Sequence, residues 1–128
     1  MGWLHNYGWE AIPPEALPFG KVAFHRDTAC AAGFIYFDPL AKIAFLTLLM
    51  VDPDASEIRR AICLKKAISE LVEEAKTRFG EKGIIYEVTA NRSVCKLLEK
   101  MGFRRGERSM TSMVYSFGGL STDFLKEE

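Results

Sequence analysis

The 128-residue chain has few of the residues that build metal centres or disulfide frameworks, with three cysteines and two histidines. Cys30, Cys63 and Cys95 are odd in number and widely spaced, and neither histidine has a partner at the spacing of metal ligands. We therefore expect no metal site. The same pattern favours three reduced, mostly buried thiols in a cytoplasmic protein.

The sequence also lacks a net charge and a long apolar run. Seventeen basic residues balance seventeen acidic ones, so no overall field attracts nucleic acid or an anionic membrane. The longest apolar stretch, around Ile43–Val51, is too short to span a bilayer. The first residues also do not show the basic segment followed by an apolar run that is typical of a signal peptide. We expect neither nucleic acid nor a membrane as a partner, and we expect a cytoplasmic location.

The length predicts one domain, residues 1–128. Residues 1–20 are rich in aromatics and prolines, a composition that interrupts helical and strand periodicity alike. We expect this segment to lie extended over the body, with Trp9 and Ile12 packing against it. Residues 118–128 are typical of a frayed C-terminal tail.

Three strand-like runs follow the first segment: Lys21–Arg26, Cys30–Phe37 and Ile43–Val51. Short polar turns separate them, which predicts an antiparallel meander. The third run, IAFLTLLMV, is apolar at almost every position. This predicts a central strand that is covered on both faces.

A long amphipathic helix is predicted after the third strand. Asp54 and Glu57 stand three residues apart, as in a capping box. Apolar residues then recur at helical spacing as far as Phe79, and Gly80 ends the helix.

The rest of the chain predicts a strand, a helix and a hairpin. Gly83–Thr89 is typical of a strand, and Asn91 is placed to cap a helix that ends at Gly102. Phe103–Arg108 and Met110–Phe117 predict a final hairpin. The predicted order is β-β-β-α-β-α-β-β, which defines an α/β fold (α+β, with a mixed sheet).

Two motifs flank the predicted helices. Val51-Asp52-Pro53 ends the third strand, and Asn91 is followed at a distance by Met101-Gly102-Phe103. In composition and spacing these motifs resemble the core of the Gcn5-related N-acetyltransferases, and the likeness covers most of the chain. The pattern is similar to short members encoded by tailed bacteriophages. The first 20 residues depart from the family because they are too rich in helix breakers to supply its N-terminal helices.

The resemblance implies an N-acetyltransferase that uses acetyl-CoA as acyl donor and an amine as acceptor. In the family the strand before the long helix splays from the next strand, and its free backbone groups bind the pantetheine arm. Those positions match Leu49, Met50 and Val51, and Asn91 matches the family's asparagine. A plain buried strand is the alternative for the first three, and a plain helix cap is the alternative for Asn91.

The family's phosphate loop matches the start of the long helix, with cofactor positions at Arg59, Arg60, Ile62, Cys63 and Leu64. Ile62 and Leu64 stand where the family has glycine, which lets a backbone approach phosphate closely. Basic side chains near the helix start could bind the phosphates in place of the loop. They could also bind another phosphorylated ligand or form a solvated helix face. The basic residues concerned are Arg59, Arg60, Lys65 and Lys66.

The family's acid position, a tyrosine on the late helix, holds Leu98, which we expect to be core. Acetyl transfer still needs a base that keeps the amine neutral. Glu87 and His25 are the candidates for that base, and Tyr86 and Tyr115 are the candidates for a replacement acid.

These departures leave two functions open. One is catalytic acetyl transfer, and the other is a non-catalytic module that keeps the fold for binding or assembly. Without the front helices the acceptor pocket is open, absent or completed by another subunit, so a homodimer is a reasonable expectation.

Overall fold

A computed structural model describes residues 18–38, 40–89, 91–107, 113, 115, 117 and 118. Its elements, in chain order, are β1 (Phe19–His25), β2 (Thr28–Asp38), β3 (Ile43–Val51), α1 (Glu57–Phe79), β4 (Ile84–Glu87) and α2 (Arg92–Lys100). The strands form one sheet in the order β1-β2-β3-β4. β2 is antiparallel to β1 and to β3, whereas β4 is parallel to β3. The predicted α/β class with a mixed sheet is confirmed.

The predicted terminal segments lie largely outside the described residues. Residues 103–107 form neither helix nor strand, so the predicted strand at 103–108 is not present over its described part. Most of the predicted second strand at 110–117, residues 1–17 and the tail beyond 118 lie outside the described residues.

Tight turns set the register of the meander. His25 pairs with Thr28, which leaves Arg26 and Asp27 as a two-residue turn with φ of 49° and 65°. Two consecutive positive φ angles match the twist of a hairpin. At the next turn, the Asp38 carboxylate accepts hydrogen bonds from the backbone N–H groups of Leu40 and Ala41 at 3.1 and 3.2 Å.

The start of α1 differs from the predicted capping box. The N-cap is Ser56, whose Oγ accepts a hydrogen bond from the Arg59 N–H at 3.2 Å. Asp54 lies two residues earlier, where its own N–H donates to the Asp52 carboxylate at 2.9 Å. The helix therefore begins after Ser56 and not after Asp54. At the other end the prediction is confirmed, since Gly80 caps α1 with φ of 80°.

We expect Ser56→Ala to lower the free energy of unfolding by about 1 kcal/mol, because the Arg59 N–H loses its acceptor. Asp54→Ala, the matched control two residues away, should cost only a few tenths of that. Urea denaturation of both variants measures the difference. A larger loss of unfolding free energy for Asp54→Ala than for Ser56→Ala would show that Asp54 caps the helix after all.

The core lies between α1 and one face of the sheet, here called the inner face. Ile68 and Leu71 on α1 are fully buried, as is Ile35 on β2. Burial of each such side chain contributes about 1.5–3 kcal/mol to folding. The inner face is lined by small or branched side chains, namely Ala23, Ala31, Ile35, Ala44 and Leu46.

β3 is central in the sheet, as predicted, and among the described residues a helix covers only one of its faces. Ala44 and Leu46 face α1 and are buried, whereas Phe45 between them is 50% exposed. We call the side of the sheet that carries Phe45 the outer face. The apolar run therefore predicts the central strand correctly, whereas the predicted cover on the second face is not provided by a described helix.

The expectation of three reduced cysteines is wrong for two of them. Cys30 on β2 forms a disulfide with Cys63 on α1, with their Cα atoms 5.9 Å apart, whereas Cys95 is free. On β1, Ala23 pairs with Ala31 and Phe24 pairs with Ala29, so Cys30 is the extra residue of a bulge. A bulge re-aims the side chain of the extra residue, and here it meets the second turn of α1.

No helix within the described part of the chain is long and apolar enough to cross a membrane.

Candidate functional site

The candidate site lies where β3 and β4 part. The two strands pair in parallel from Ile43 with Ile84 to Leu46 with Glu87. β3 then continues to Val51, but β4 ends at Glu87. The edge of β3 over residues 47–50 therefore has no ladder partner on β4, and such an edge can offer its backbone groups to a ligand.

A β-bulge explains why β3 turns away at this point. Ala32 pairs with Met50 and Phe34 pairs with Thr47, so two residues, Leu48 and Leu49, oppose Gly33 alone. Leu48 has a φ of 51°, a conformation that leucine rarely adopts. The extra residue bends and twists the strand.

Gly33 makes room for this bulge. A Cβ atom there would lie 2.8 Å from Leu49 Cδ2 and 3.1 Å from Leu71 Cδ1. The missing side chain thus lets Leu49 pack on the core at the start of the unpaired edge. Of the three predicted pantetheine positions, Leu49 and Val51 pack against the core under α1, and Met50 is 1% exposed. Their side chains are therefore largely taken up by packing.

Glu87 stands at the closed end of the gap. It pairs with Leu46 and shares the inner face with that residue, and its Oε2 is buried without a hydrogen-bond partner among the described residues. Burial raises the pKa of Glu87 to about 8, because a carboxylate loses hydration there. Such a group holds a proton at neutral pH and becomes a base just above it.

Tyr86 lies on the opposite side of the sheet from Glu87. Its ring stacks on Phe45 with a centroid separation of 5.7 Å, and 50% of the residue is exposed. Neighbouring residues on a strand point to opposite faces, so the structure does not bring the two predicted catalytic side chains together. Tyr115, the other acid candidate, is 87% exposed.

A second feature lies at the N-terminus of α1. A cavity of about 230 Å³ is lined there by His25, Arg26, Thr28, Cys30, Asp52, Asp54, Ala55 and Arg59. The pKa of His25 is lowered, first by desolvation and then by the charges of Arg59 and Arg26, so its ring is mainly neutral at pH 7. Of the two base candidates, His25 lies at this cavity at the end of β1, whereas Glu87 lies at the end of β4.

The remaining predicted phosphate-binding residues are part of a continuous helix. Ile62 is 65% exposed, whereas Cys63 and Leu64 are 4% and 6% exposed and pack on the sheet. Residues well inside a helix use their N–H groups in i→i−4 bonds, as Arg60 does by donating to the Ser56 carbonyl at 2.9 Å. The helix geometry therefore does not form a glycine-type loop at these positions.

Sequence reasoning missed Arg26. The structure places it beside Arg59 in the cavity, through the β1–β2 turn. Nothing in the local sequence links residue 26 to residue 59, because the contact depends on how the hairpin packs against the helix start. The sequence groups Arg59 with Arg60, Lys65 and Lys66, and none of these three lines the cavity.

The predicted roles of Asn91 and Leu98 in the fold are confirmed. Asn91 Oδ1 accepts a hydrogen bond from the Val94 N–H at 3.0 Å and caps α2. Leu98 is 5% exposed and joins the core under α1. A cofactor contact by Asn91 remains a prediction.

Comparison with known proteins supports the fold. No protein-family model matches the chain, and no curated protein is significantly similar to it in sequence. Among solved structures, an acetyltransferase from Trypanosoma brucei is similar, with a TM-score of 0.54 and 20% identity over 74% of this chain and 68% of that one. At this identity the likeness shows the fold alone. The chain therefore has an acetyltransferase-like fold.

Proposed function

We propose that this protein is an acyl-CoA-dependent N-acetyltransferase that transfers the acetyl group of acetyl-CoA to an amine. The observation that carries the proposal is the gap that opens between β3 and β4 beyond the Leu46–Glu87 pair. An unpaired strand edge offers amide and carbonyl groups to the amides of a pantetheine arm. The acetyltransferase-like fold supports the same reading.

The proposed reaction uses the gap to position the thioester beside Glu87. Backbone groups of Leu49 and Met50 would hold pantetheine along β3. The Glu87 carboxylate would take a proton from the acceptor ammonium, and the neutral amine would attack the thioester carbonyl carbon. The C–S bond then breaks and the acetyl group stays on nitrogen, while the second proton of that nitrogen passes through water to the departing CoA thiolate. Glu87 afterwards returns its own proton to solvent. Positioning the two reactants supplies much of the rate enhancement.

The phosphates of acetyl-CoA would bind at the start of α1. Arg59 and Arg26 line the cavity there and can pair with phosphate oxygens. The positive end of the helix dipole adds to the attraction. Asp52 and Asp54 line the same cavity and reduce it, so side-chain charge is expected to matter more than helix amides.

We expect Arg59→Ala to weaken acetyl-CoA binding about tenfold or more, since one charge-assisted hydrogen bond is lost. Lys76→Ala, near the far end of the same helix, is the matched control and should leave affinity unchanged. Titration calorimetry at low and high salt measures both variants. Equal affinities for the two variants would show that the phosphates do not bind in this cavity.

Turnover is tested by following release of the CoA thiol from acetyl-CoA in the presence of a panel of amines. The proposal predicts release that depends on an amine. Binding of acetyl-CoA without turnover on any amine would instead support a non-catalytic module. Ile62 and Leu64 within the helix, and Leu98 in the core, are the observations that favour this second function.

A further inference from the structure

The solvent face of α2 and the turn after it carry a row of basic side chains, here called the basic stripe. Its four members stand four residues apart and are all exposed, namely Arg92, Lys96, Lys100 and Arg104. Residues 92–105 contain five basic residues and one acidic residue, so the acidic excess that balances them lies elsewhere in the chain. The stripe is therefore a local positive field on a protein without net charge.

The charges of the stripe have no ion-pair partners in the described part of the chain. On α1, the basic residues near the C-terminal end form ion pairs with glutamates about one turn earlier. On α2, Glu99 is the one acidic residue, and its carboxylate accepts hydrogen bonds from Arg105 at 2.9 and 3.1 Å. The pairs formed by the described residues therefore leave all four members of the stripe free to meet an external anion.

The stripe lowers the stability of its own helix. Like charges four residues apart repel each other on a helix, and Arg92 with Lys96 and Lys96 with Lys100 are two such pairs. The first turn contains Arg92 and no acidic residue, although the positive end of the helix dipole favours acidic side chains there. A charge pattern that opposes local stability indicates a binding role for these side chains.

α2 begins close to the closed end of the gap between β3 and β4. Glu87 ends β4, and Arg92 begins α2 five residues later. The connection is tight, because the Asn91 N–H donates to Thr89 Oγ1 at 3.1 Å while the Asn91 side chain caps the helix. From Arg92 to Lys100 the stripe is about 12 Å long, at 1.5 Å per helical residue.

We propose that the basic stripe binds acidic residues of a peptide whose amine is the acetyl acceptor. This inference rests on the proposed function and names its substrate class, an acidic peptide or protein segment. About four extended residues match the length of the stripe, and their carboxylates complement its unpaired charges. A peptide held in this way has its amine within reach of Glu87.

The surroundings of the stripe favour a peptide over two other anionic partners. The large apolar side chains of α2, such as Leu97 and Leu98, pack on the core, and none of them is exposed. The helix thus presents no apolar face that could enter a membrane. Phe103, the one aromatic residue between positions 92 and 105, also packs on the core and offers no stacking surface to unpaired bases.

Fluorescence anisotropy tests the surface without requiring turnover. Two peptides labelled at the C-terminus each carry a free N-terminus and one lysine, followed by four glutamates in one and four glutamines in the other. We expect the glutamate peptide to bind about tenfold more tightly, since four surface ion pairs together supply that much. The advantage should decline as salt rises.

Charge reversal within the stripe provides the variant. Lys96→Glu combined with Lys100→Glu should abolish the advantage of the glutamate peptide, because repulsion replaces attraction. Lys76→Glu combined with Lys82→Glu reverses two exposed lysines elsewhere and is the matched control, which should keep the advantage. Circular dichroism verifies that both variants remain folded.

Turnover shows whether the bound peptide is the acceptor. At subsaturating peptide, release of the CoA thiol should be about tenfold faster with the glutamate peptide, and the stripe variant should lose this preference. Equal rates with the two peptides would overturn the inference and leave acetyl transfer intact. Binding of the glutamate peptide without thiol release would instead contradict the proposed acetyl transfer, and with it the acceptor role of the peptide.

Three further results would overturn the inference. One is a stripe variant that binds the glutamate peptide as tightly as the unmodified protein does. Another is a loss of acetyl-CoA affinity in that variant, measured by calorimetry, which would assign the stripe to the phosphates of acetyl-CoA. The third is tighter binding of single-stranded DNA or of anionic phospholipid vesicles than of the glutamate peptide at the same salt.

Discussion

Replacing Glu87 with glutamine is expected to lower turnover about 100- to 10,000-fold, the range that general-base catalysis supplies, while acetyl-CoA affinity stays within about twofold of the unmodified protein. Glutamine keeps the size of the side chain but cannot accept the proton of the acceptor amine. Steady-state kinetics and calorimetry on the same samples separate the two effects. Glu73→Gln, on the exposed side of α1, is the matched control and should retain full activity.

The pH dependence of turnover gives an independent check on Glu87. Since burial raises the pKa of Glu87 to about 8, kcat/KM should increase with pH up to that value and then level off, if the acceptor amine itself titrates elsewhere. A profile that is flat between pH 6 and 9 would assign the base to another group. His25, with a lowered pKa, would give a limb at more acidic pH instead.

The free energy of unfolding should fall with rising pH, whereas activity should increase. Below the ordinary value of 4.5 the carboxyl is protonated in both the folded and the unfolded chain. As pH rises from 4.5 to about 8, the unfolded chain ionises first, so the free energy of unfolding falls and then levels off. The full difference between the two pKa values corresponds to at most about 5 kcal/mol of unfolding free energy. Because the carboxyl keeps part of its hydration, we expect a change of about 2–3 kcal/mol.

Glu87→Gln should therefore be more stable than the unmodified protein at pH 8, although it is inactive. Urea denaturation across this pH range tests the point. A variant that is both inactive and less stable would show that Glu87 holds the structure together rather than acting as a base.

The second large effect concerns the disulfide between Cys30 and Cys63. The closed loop has a sequence separation of 33 residues, for which the loss of unfolded-chain entropy corresponds to about 3–4 kcal/mol. Cys30→Ala combined with Cys63→Ala should lower the free energy of unfolding by about that amount, and reductant should do the same to the unmodified chain. Cys95→Ser, at the free cysteine, is the control and should change stability little.

Thiol titration in denaturant provides the matching chemical test. We expect one reactive thiol without reductant and three after reduction, since only Cys95 is free. Three thiols from the start, with no effect of reductant on unfolding, would contradict the cross-link. The Cys30 sulfur lies 3.4 Å from the Ala23 carbonyl oxygen in the cross-linked protein, so we expect the thiol formed on reduction to donate a hydrogen bond to that oxygen.

Local signals in the sequence were enough to predict most of the elements. The apolar run predicts β3 with its observed bounds, and the predicted helix caps at Gly80 and Asn91 are confirmed. Each of these depends on interactions between residues close in sequence. The same holds for the short turn that separates β1 from β2.

The features of the site that escaped prediction depend on distant residues. Leucine at position 48 gives no sign of the bulge that bends β3, because its positive φ is imposed by the sheet. The pairing of Cys30 with Cys63 requires the packing of α1 on β2. Likewise, Arg26 joins Arg59 only because the first hairpin meets the start of α1.

Calorimetric titration of the unmodified protein with acetyl-CoA shows whether the gap between β3 and β4 binds acyl-CoA, as proposed. We expect saturable binding at one site per chain, competition by CoA, and a weaker affinity as salt rises, because the proposed phosphate contacts are to arginines. Absence of binding at millimolar acetyl-CoA, from a protein that is folded by circular dichroism, would contradict it.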